Sequence, residues 1–279
     1  MDNVFSEVVQ KLAAVGVESP RLEARLLIAF AAETSPSQVF TDIILNAHQT
    51  AKLQQALAQR LAHKPLDKIL GHREFYKADF TVDENVLSPR PDTEILVEKA
   101  LQYMPQTARN ILDLGTGSGC IIESLLLEKT NLQGVALDVS AAALQTARQN
   151  AEKLGLTTRL RFLCADWFSP DFANQIGQKF DIIVSNPPYI PTGDIPTLAP
   201  EVKDYDPLMA LDGGVDGYDD YRRIAELAPD LLKAGGYILL EAGIGQAKNI
   251  ASIFEHHGLK LVEIVNDLNN IERCVILQK

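Results

Sequence analysis

Ile111-Leu112-Asp113-Leu114-Gly115-Thr116-Gly117-Ser118-Gly119 reads as a strand running into a glycine-rich turn that opens a helix. Glycines at such a turn let the backbone approach a ligand and adopt positive φ. The dinucleotide fingerprint needs a third glycine where Cys120 or Ile122 stands, so a nicotinamide dinucleotide is disfavoured. Outward from this turn, apolar runs and helical periodicity alternate. Strands are predicted at 110–114, 134–138, 160–164, 181–184, 237–241, 259–265 and 274–277, and helices near 119–129, 141–154, 220–233 and 245–257. That order describes an α/β domain with a doubly wound sheet and two strands clustered at its end.

Acidic residues stand at three successive strand ends. Asp113 precedes the turn, where an ammonium is welcome and a pyrophosphate is not. Asp138 closes the next strand about twenty residues on, the spacing that suits a ribose diol. Asp166 follows the third strand, beside Trp167. Taken singly, Asp138 next to Ser140 also fits helix capping, Asp166 a turn, and Trp167 core filling as well as adenine stacking. Together they suit a nucleoside with a cationic, phosphate-free tail, and S-adenosylmethionine is that molecule.

The run Phe180-Asp181-Ile182-Ile183-Val184 has no polar alternation and reads as a strand buried on both faces. It ends in Ser185-Asn186-Pro187-Pro188-Tyr189, where two prolines fix φ and withhold N–H donors. The product is a stiff shelf at the carboxyl edge of the sheet, where open α/β folds bind ligands. Its Asn186 side-chain oxygen and Pro187 carbonyl are neighbouring acceptors suited to the two hydrogens of a planar NH2 group, and Tyr189 can cover that group's flat face. After it, residues 190–218 carry four prolines and little periodicity, which predicts a lid over the substrate.

The 279 residues are 46% hydrophobic and 23% charged, as in ordinary globular proteins. No apolar run reaches the length of a membrane span, and the first residues lack the pattern of a signal peptide, so a cytoplasmic protein without membrane contact is expected. Cys120, Cys164 and Cys274 are scattered and flanked by apolar residues, which predicts reduced, buried thiols and no metal. Residues 1–75 hold eight basic and eight acidic residues, so the net charge of −11 falls on the remainder. Acidity there disfavours a nucleic-acid backbone.

Three units are expected: a helical N-terminal domain over 1–72, a β-hairpin linker over 73–90 and the α/β domain over 91–279. Ser19-Pro20 and Ser35-Pro36 read as helix starts, further helices fit 49–63 and 65–70, and Phe75, Phe80, Val82 and Val86 alternate with polar residues. Pro91 opens a helix with Asp92 and Glu94 in its first turn.

Asp113 to Gly119 resembles the first motif of class I methyltransferases, and Asn186-Pro187-Pro188-Tyr189 resembles the motif of enzymes that methylate adenine, cytosine or glutamine amide nitrogens. Leu87-Ser-Pro-Arg-Pro-Asp-Thr-Glu94, Glu201-Val-Lys-Asp-Tyr-Asp-Pro207 and Ala210-Leu-Asp-Gly-Gly-Val-Asp-Gly217 are similar to stretches of the peptide-chain release factor glutamine methyltransferase family. The resemblance covers nearly the whole chain. It implies a Rossmann-like class I methyltransferase sheet and a small N-terminal helical bundle for substrate docking; a monomer is expected. It also implies methyl transfer from S-adenosyl-L-methionine, leaving S-adenosyl-L-homocysteine, to the glutamine of the Gly-Gly-Gln loop in class 1 release factors.

On that resemblance the catalytic residues are Asn186, Pro187 and Tyr189. Asp113, Gly115, Thr116, Gly117, Ser118, Gly119, Asp138, Asp166, Trp167 and Asn186 hold the cofactor. Asn186, Pro187, Pro188, Tyr189 and Arg90 meet the substrate. The chain departs from the family pattern at Asp67-Lys68, at Asp92 and at Ile271-Glu272-Arg273-Cys274; the first two departures fall where docking is expected. Rival readings are an adenine-amino DNA methyltransferase, which would need a basic region for duplex binding that the sequence lacks, a methyltransferase of a glutamine in another protein, and a noncatalytic cofactor-binding adaptor.

Overall fold

The computed structural model describes residues 3–40 and 43–279. Helices α1 (Val4–Ala14), α2 (Pro20–Ala32), α3 (Ala47–Leu61) and α4 (Leu66–Leu70) open the chain, followed by the hairpin β1 (His72–Phe75) and β2 (Ala78–Thr81). Then come α5 (Glu94–Tyr103), β3 (Asn110–Leu114), α6 (Cys120–Glu128), β4 (Gln133–Asp138), α7 (Ala141–Lys153), β5 (Leu160–Cys164), α8 (Phe172–Ile176) and β6 (Phe180–Ser185). The remainder is α9 (Pro200–Lys203), α10 (Asp219–Leu231), β7 (Leu232–Glu241), α11 (Ala247–His256), β8 (Lys260–Asn266) and β9 (Glu272–Gln278). Two compact units result: residues 1–72 with 200–205, and residues 73–199 with 206–279.

In the helical unit the periodic residues Phe5, Val8 and Leu12 of α1 meet Leu27 and Ile28 of α2 and Leu53 and Leu57 of α3 in one core. Asn3 caps α1 by accepting from Ser6 N at 2.8 Å, and Asn46 caps α3 by accepting from Gln49 N at 2.9 Å. Ser35-Pro36 opens only the 3-10 turn Pro36–Gln38. Segment 200–205 belongs to this unit because Arg60 holds both Glu23 (2.5 Å) and Glu201 (2.8 Å). Lys68 Nζ also donates to the Tyr205 carbonyl at 2.6 Å, and Tyr205 OH to that of Ala62 at 2.6 Å. The departure at Asp67-Lys68 is therefore buried within the unit and offers no open docking face.

The larger unit is a seven-stranded sheet in the order β5-β4-β3-β6-β7-β9-β8. Its first five strands are parallel, and β9 runs antiparallel between β7 and β8. Strand β6 is central and fully covered: Ile183 packs on one face with Leu112 and Leu114, and Ile182 and Val184 on the other with Ile111. Helices α10 and α11 complete the first face, and α5, α6 and α7 the second. Of the three cysteines, Cys120 and Cys274 are buried, but Cys164 is exposed, because it ends the edge strand β5.

Replacing Ile183, which is fully buried, by Ala removes methyl groups from a close-packed layer. Unfolding of the Ile183→Ala protein in urea should show a loss of about 2–5 kcal/mol, read as a lower midpoint with an unchanged slope.

Candidate active site

Strand order reverses at β3, which sends the chain outward to β4 on one side and pairs with β6 on the other. The crevice at the carboxyl ends of these strands is the place where such sheets hold ligands. After β3 the backbone turns through Gly115, Gly117 and Gly119, with φ of 74°, 54° and 83°. That conformation is cheap only for glycine. The turn is tied to β4, since the Gly115 and Thr116 N–H groups donate to the Leu137 carbonyl at 2.9 and 2.8 Å.

Asp138 completes that tie. Its Oδ2 accepts from Gly117 N and its Oδ1 from Ser140 N, each at 2.9 Å. A carboxylate has about four acceptor positions, so room for a diol remains. Asp113, by contrast, lies beneath the turn and is fully buried, accepting from Thr116 Oγ1 at 2.7 Å. Burial pushes its carboxyl up to about 7, against the lowering effect of the Thr116 hydroxyl.

Trp167 faces the turn so closely that a Cβ on Gly115 would stand 3.3 Å from ring carbon Cη2. Its ring is oriented by Asp220, whose Oδ1 accepts from Nε1 at 2.9 Å. Burial pushes Asp220 up to about 6; the indole bond opposes this, while Asp219, Asp166 and Asp212 add to it. Asp166 accepts from Phe168 N at 2.8 Å, so it does shape a turn, and it also lines the cavity.

The shelf leaves β6 at the same level, with Ser185 Oγ donating to the Leu114 carbonyl at 2.6 Å. Behind it runs the stretch 210–217. Ile190 N donates to the Leu211 carbonyl at 3.0 Å, and Gly213 N returns a bond to the Ile190 carbonyl at 2.9 Å. A Cβ on Gly213 would sit 2.8 Å from the Pro188 carbonyl oxygen, so only glycine lets these two backbones meet. Gln246 adds a third support by donating from Nε2 to the Tyr189 carbonyl at 2.9 Å.

The predicted lid over 190–218 is thus three things. Residues 200–205 belong to the helical unit, Pro207 to Ala210 line the cavity, and 211–217 clamp the shelf from behind.

These walls enclose a cavity of about 860 Å³. Among the predicted residues Arg90, Gly115, Thr116, Gly117, Ser118, Asp138, Asp166, Trp167, Asn186 and Pro188 line it. Asp113, Gly119, Pro187 and Tyr189 do not: the first two form the base of the turn, Pro187 is buried, and the Tyr189 ring packs towards Gly243 and the core. Arg90 pairs with buried Asp206 at 2.9 Å. The departures at Asp92 and at Arg273 prove to be partners, with Arg273 Nη2 3.5 Å from Asp92 and its Nε 3.2 Å from Asp267.

Sequence reading missed Asp220 and Glu241. Asp220 resembled an ordinary acidic residue in a helix's first turn, whereas Glu241 repeats the pattern of an acid at a strand end. Among the described residues no group of His, Cys, Asp and Glu could hold a metal ion, and no helix is long and apolar enough to cross a membrane.

Trp167 is the protein's one tryptophan. Protonating Asp220 weakens the indole bond, so intrinsic fluorescence should change as pH falls through about 6. Asp220→Asn should abolish that transition.

A methyltransferase-domain family model matches residues 105–270, and a PrmC N-terminal domain model matches residues 3–71. The release factor glutamine methyltransferase of Rhodospirillum rubrum is 42% identical over 271 residues, spanning 96% of this chain and 82% of that protein. Its counterpart in Geobacter sulfurreducens is 41% identical, spanning 95% of this chain and 91% of its own length. The solved hMettl16 catalytic domain superposes with a TM-score of 0.59 at 15% identity, covering 80% of this chain and 81% of that one. A methyltransferase from Pyrococcus furiosus does so with 0.54 at 18%, covering 81% and 98%. At those identities the two structures establish the fold. Relatives this similar along nearly the whole chain establish more, and the chain belongs to the release factor glutamine methyltransferase family.

Proposed function

We propose that the protein methylates the side-chain amide nitrogen of the glutamine in the Gly-Gly-Gln loop of class 1 peptide-chain release factors, using S-adenosylmethionine. The observation that carries this reading is the placement of Asn186, directly after the central strand β6 and in the wall of the same cavity as the glycine turn.

The residues present fit the cofactor. Five carboxylates and one cation, Arg90, line the cavity among the described residues, which favours a ligand with net positive charge. Asp138 would take the ribose hydroxyls, and Trp167, held edge-on by Asp220, offers its face to the adenine. Bound there, the cofactor supplies an electrophilic methyl group on a sulfonium.

An amide nitrogen is a weak nucleophile because its lone pair is delocalised into the carbonyl. Asn186 Oδ1, in the cavity wall, accepts one of its hydrogens, which orients the nitrogen and favours positive charge there as the new N–C bond forms. The stabilisation is in place beforehand, since proline-stiffened backbone and the glycine clamp behind it need no rearrangement. The N-methylated amide is strongly acidic until it loses a proton, so it gives one to water without a dedicated base. Residues 1–75, of zero net charge where the rest of the chain is acidic, receive the release factor.

Asn186→Ala should lower kcat by roughly 10²–10³ with cofactor affinity preserved. Transfer of labelled methyl to purified release factor, and calorimetry with the cofactor, measure the two quantities; wild-type kcat in the variant refutes the assignment. Asp138→Ala should do the reverse, weakening cofactor binding at least tenfold, about 1.4 kcal/mol.

A further inference from the structure

Asn186 is an amide, and an amide presents an acceptor at one end and a donor pair at the other. With Nδ2 turned towards the substrate, N–H groups would face N–H groups and the cradle would repel its guest. Something must hold the side chain the other way round.

Strands β6 and β7 run parallel with Ser185 opposite Leu240, so the next residues, Asn186 and Glu241, emerge side by side at the carboxyl edge. Glu241 is buried. Its Oε2 accepts from Thr93 Oγ1 at 2.6 Å, and its backbone carbonyl accepts from Tyr221 OH at 2.7 Å. The carboxylate is thereby anchored on one oxygen. We propose that Glu241 is the positioning residue of the active site: its carboxylate, which can only accept, draws the Asn186 Nδ2–H group to itself and turns Oδ1 towards the substrate amide.

The groups around Glu241 set when it can do this. Asp92 and Thr93 face it from the segment before α5, Asn186 and Tyr189 from the shelf, Tyr221 from α10, Arg273 and Cys274 from β9, and Cys120 from α6. Burial pushes the carboxyl up to about 7; the Thr93 hydroxyl, the Arg273 cation and the Asn186 side chain lower it, and Asp92 raises it. Above that pH Glu241 is an acceptor and holds Asn186 in the productive rotamer. Below it the protonated acid can donate to Oδ1 and take away the acceptor the substrate needs.

This inference rests on the reading of Asn186 as the amide acceptor, and the two fail separately. In wild type, kcat should fall about tenfold per pH unit below an apparent pKa of about 7. Glu241→Gln should lower kcat by roughly 10²-fold and remove that limb, with cofactor affinity unchanged. Thr93→Val, which deletes a donor to the carboxylate, should keep the limb and move it to higher pH.

A second readout needs no turnover. In carbon-13-glutamate-labelled protein the resonance absent from Glu241→Gln should titrate near 7, and Asn186→Ala should raise its midpoint. An inactive Asn186→Ala beside a Glu241→Gln of wild-type kcat and pH profile would overturn the positioning role alone. So would a Glu241 midpoint that Asn186→Ala leaves unmoved.

Discussion

The hydroxyl of Ser185, bonded to the Leu114 carbonyl, joins the last residues of β3 and β6 at the point where the strand order reverses. Two parallel strands splay where their ladder ends, and this bond keeps the glycine turn and the proline shelf at one height. Both walls of the cavity depend on it, since the turn supplies Gly115 to Ser118 and the shelf supplies Asn186 and Pro188. The remaining supports act on one side each: Asp138 ties the turn to β4, and Gly213 and Gln246 brace the shelf.

Crowding acids at one edge of a sheet has an electrostatic cost. Asp113, Glu241 and Asp220 are all pushed above the ordinary carboxylate range, burial being the first cause in each. Glu123, buried on α6 near Asp113, is raised well above it as well, and among the described residues its two oxygens have no hydrogen-bond partner. A cation in the cavity favours the ionised forms, so the site is matched to a sulfonium cofactor before any contact is counted. The same crowding suits an enzyme whose substrate is a neutral amide and would oppose a phosphate backbone.

The helical unit draws in a piece of the long connection that follows the shelf. Arg60, Lys68 and the carbonyl of Ala62 secure Glu201 and Tyr205, and the chain then re-enters the catalytic unit at Asp206, the partner of Arg90. The residues next along, Pro207 to Ala210, line the cavity. A connection held at so many points keeps Pro207 to Ala210 in place in the cavity wall.

Local chemistry was enough to read the strands, the turn and the shelf. Short β-branched apolar runs bounded by turn signals point to central strands, three glycines in five residues to a tight turn, and two successive prolines to the end of a strand. Asp138 and Asn186 were legible because one ends a strand and the other directly follows one, and Trp167 because it stands three residues past the end of β5. What tertiary structure alone decided is which of these side chains reach the cavity and what stands behind them. Asp113 sinks beneath the turn, Tyr189 folds towards the core, Asp92 finds Arg273, and Glu241 comes level with Asn186. The last two outcomes depend on partners 181 and 55 residues apart in the chain, distances over which no local pattern carries information.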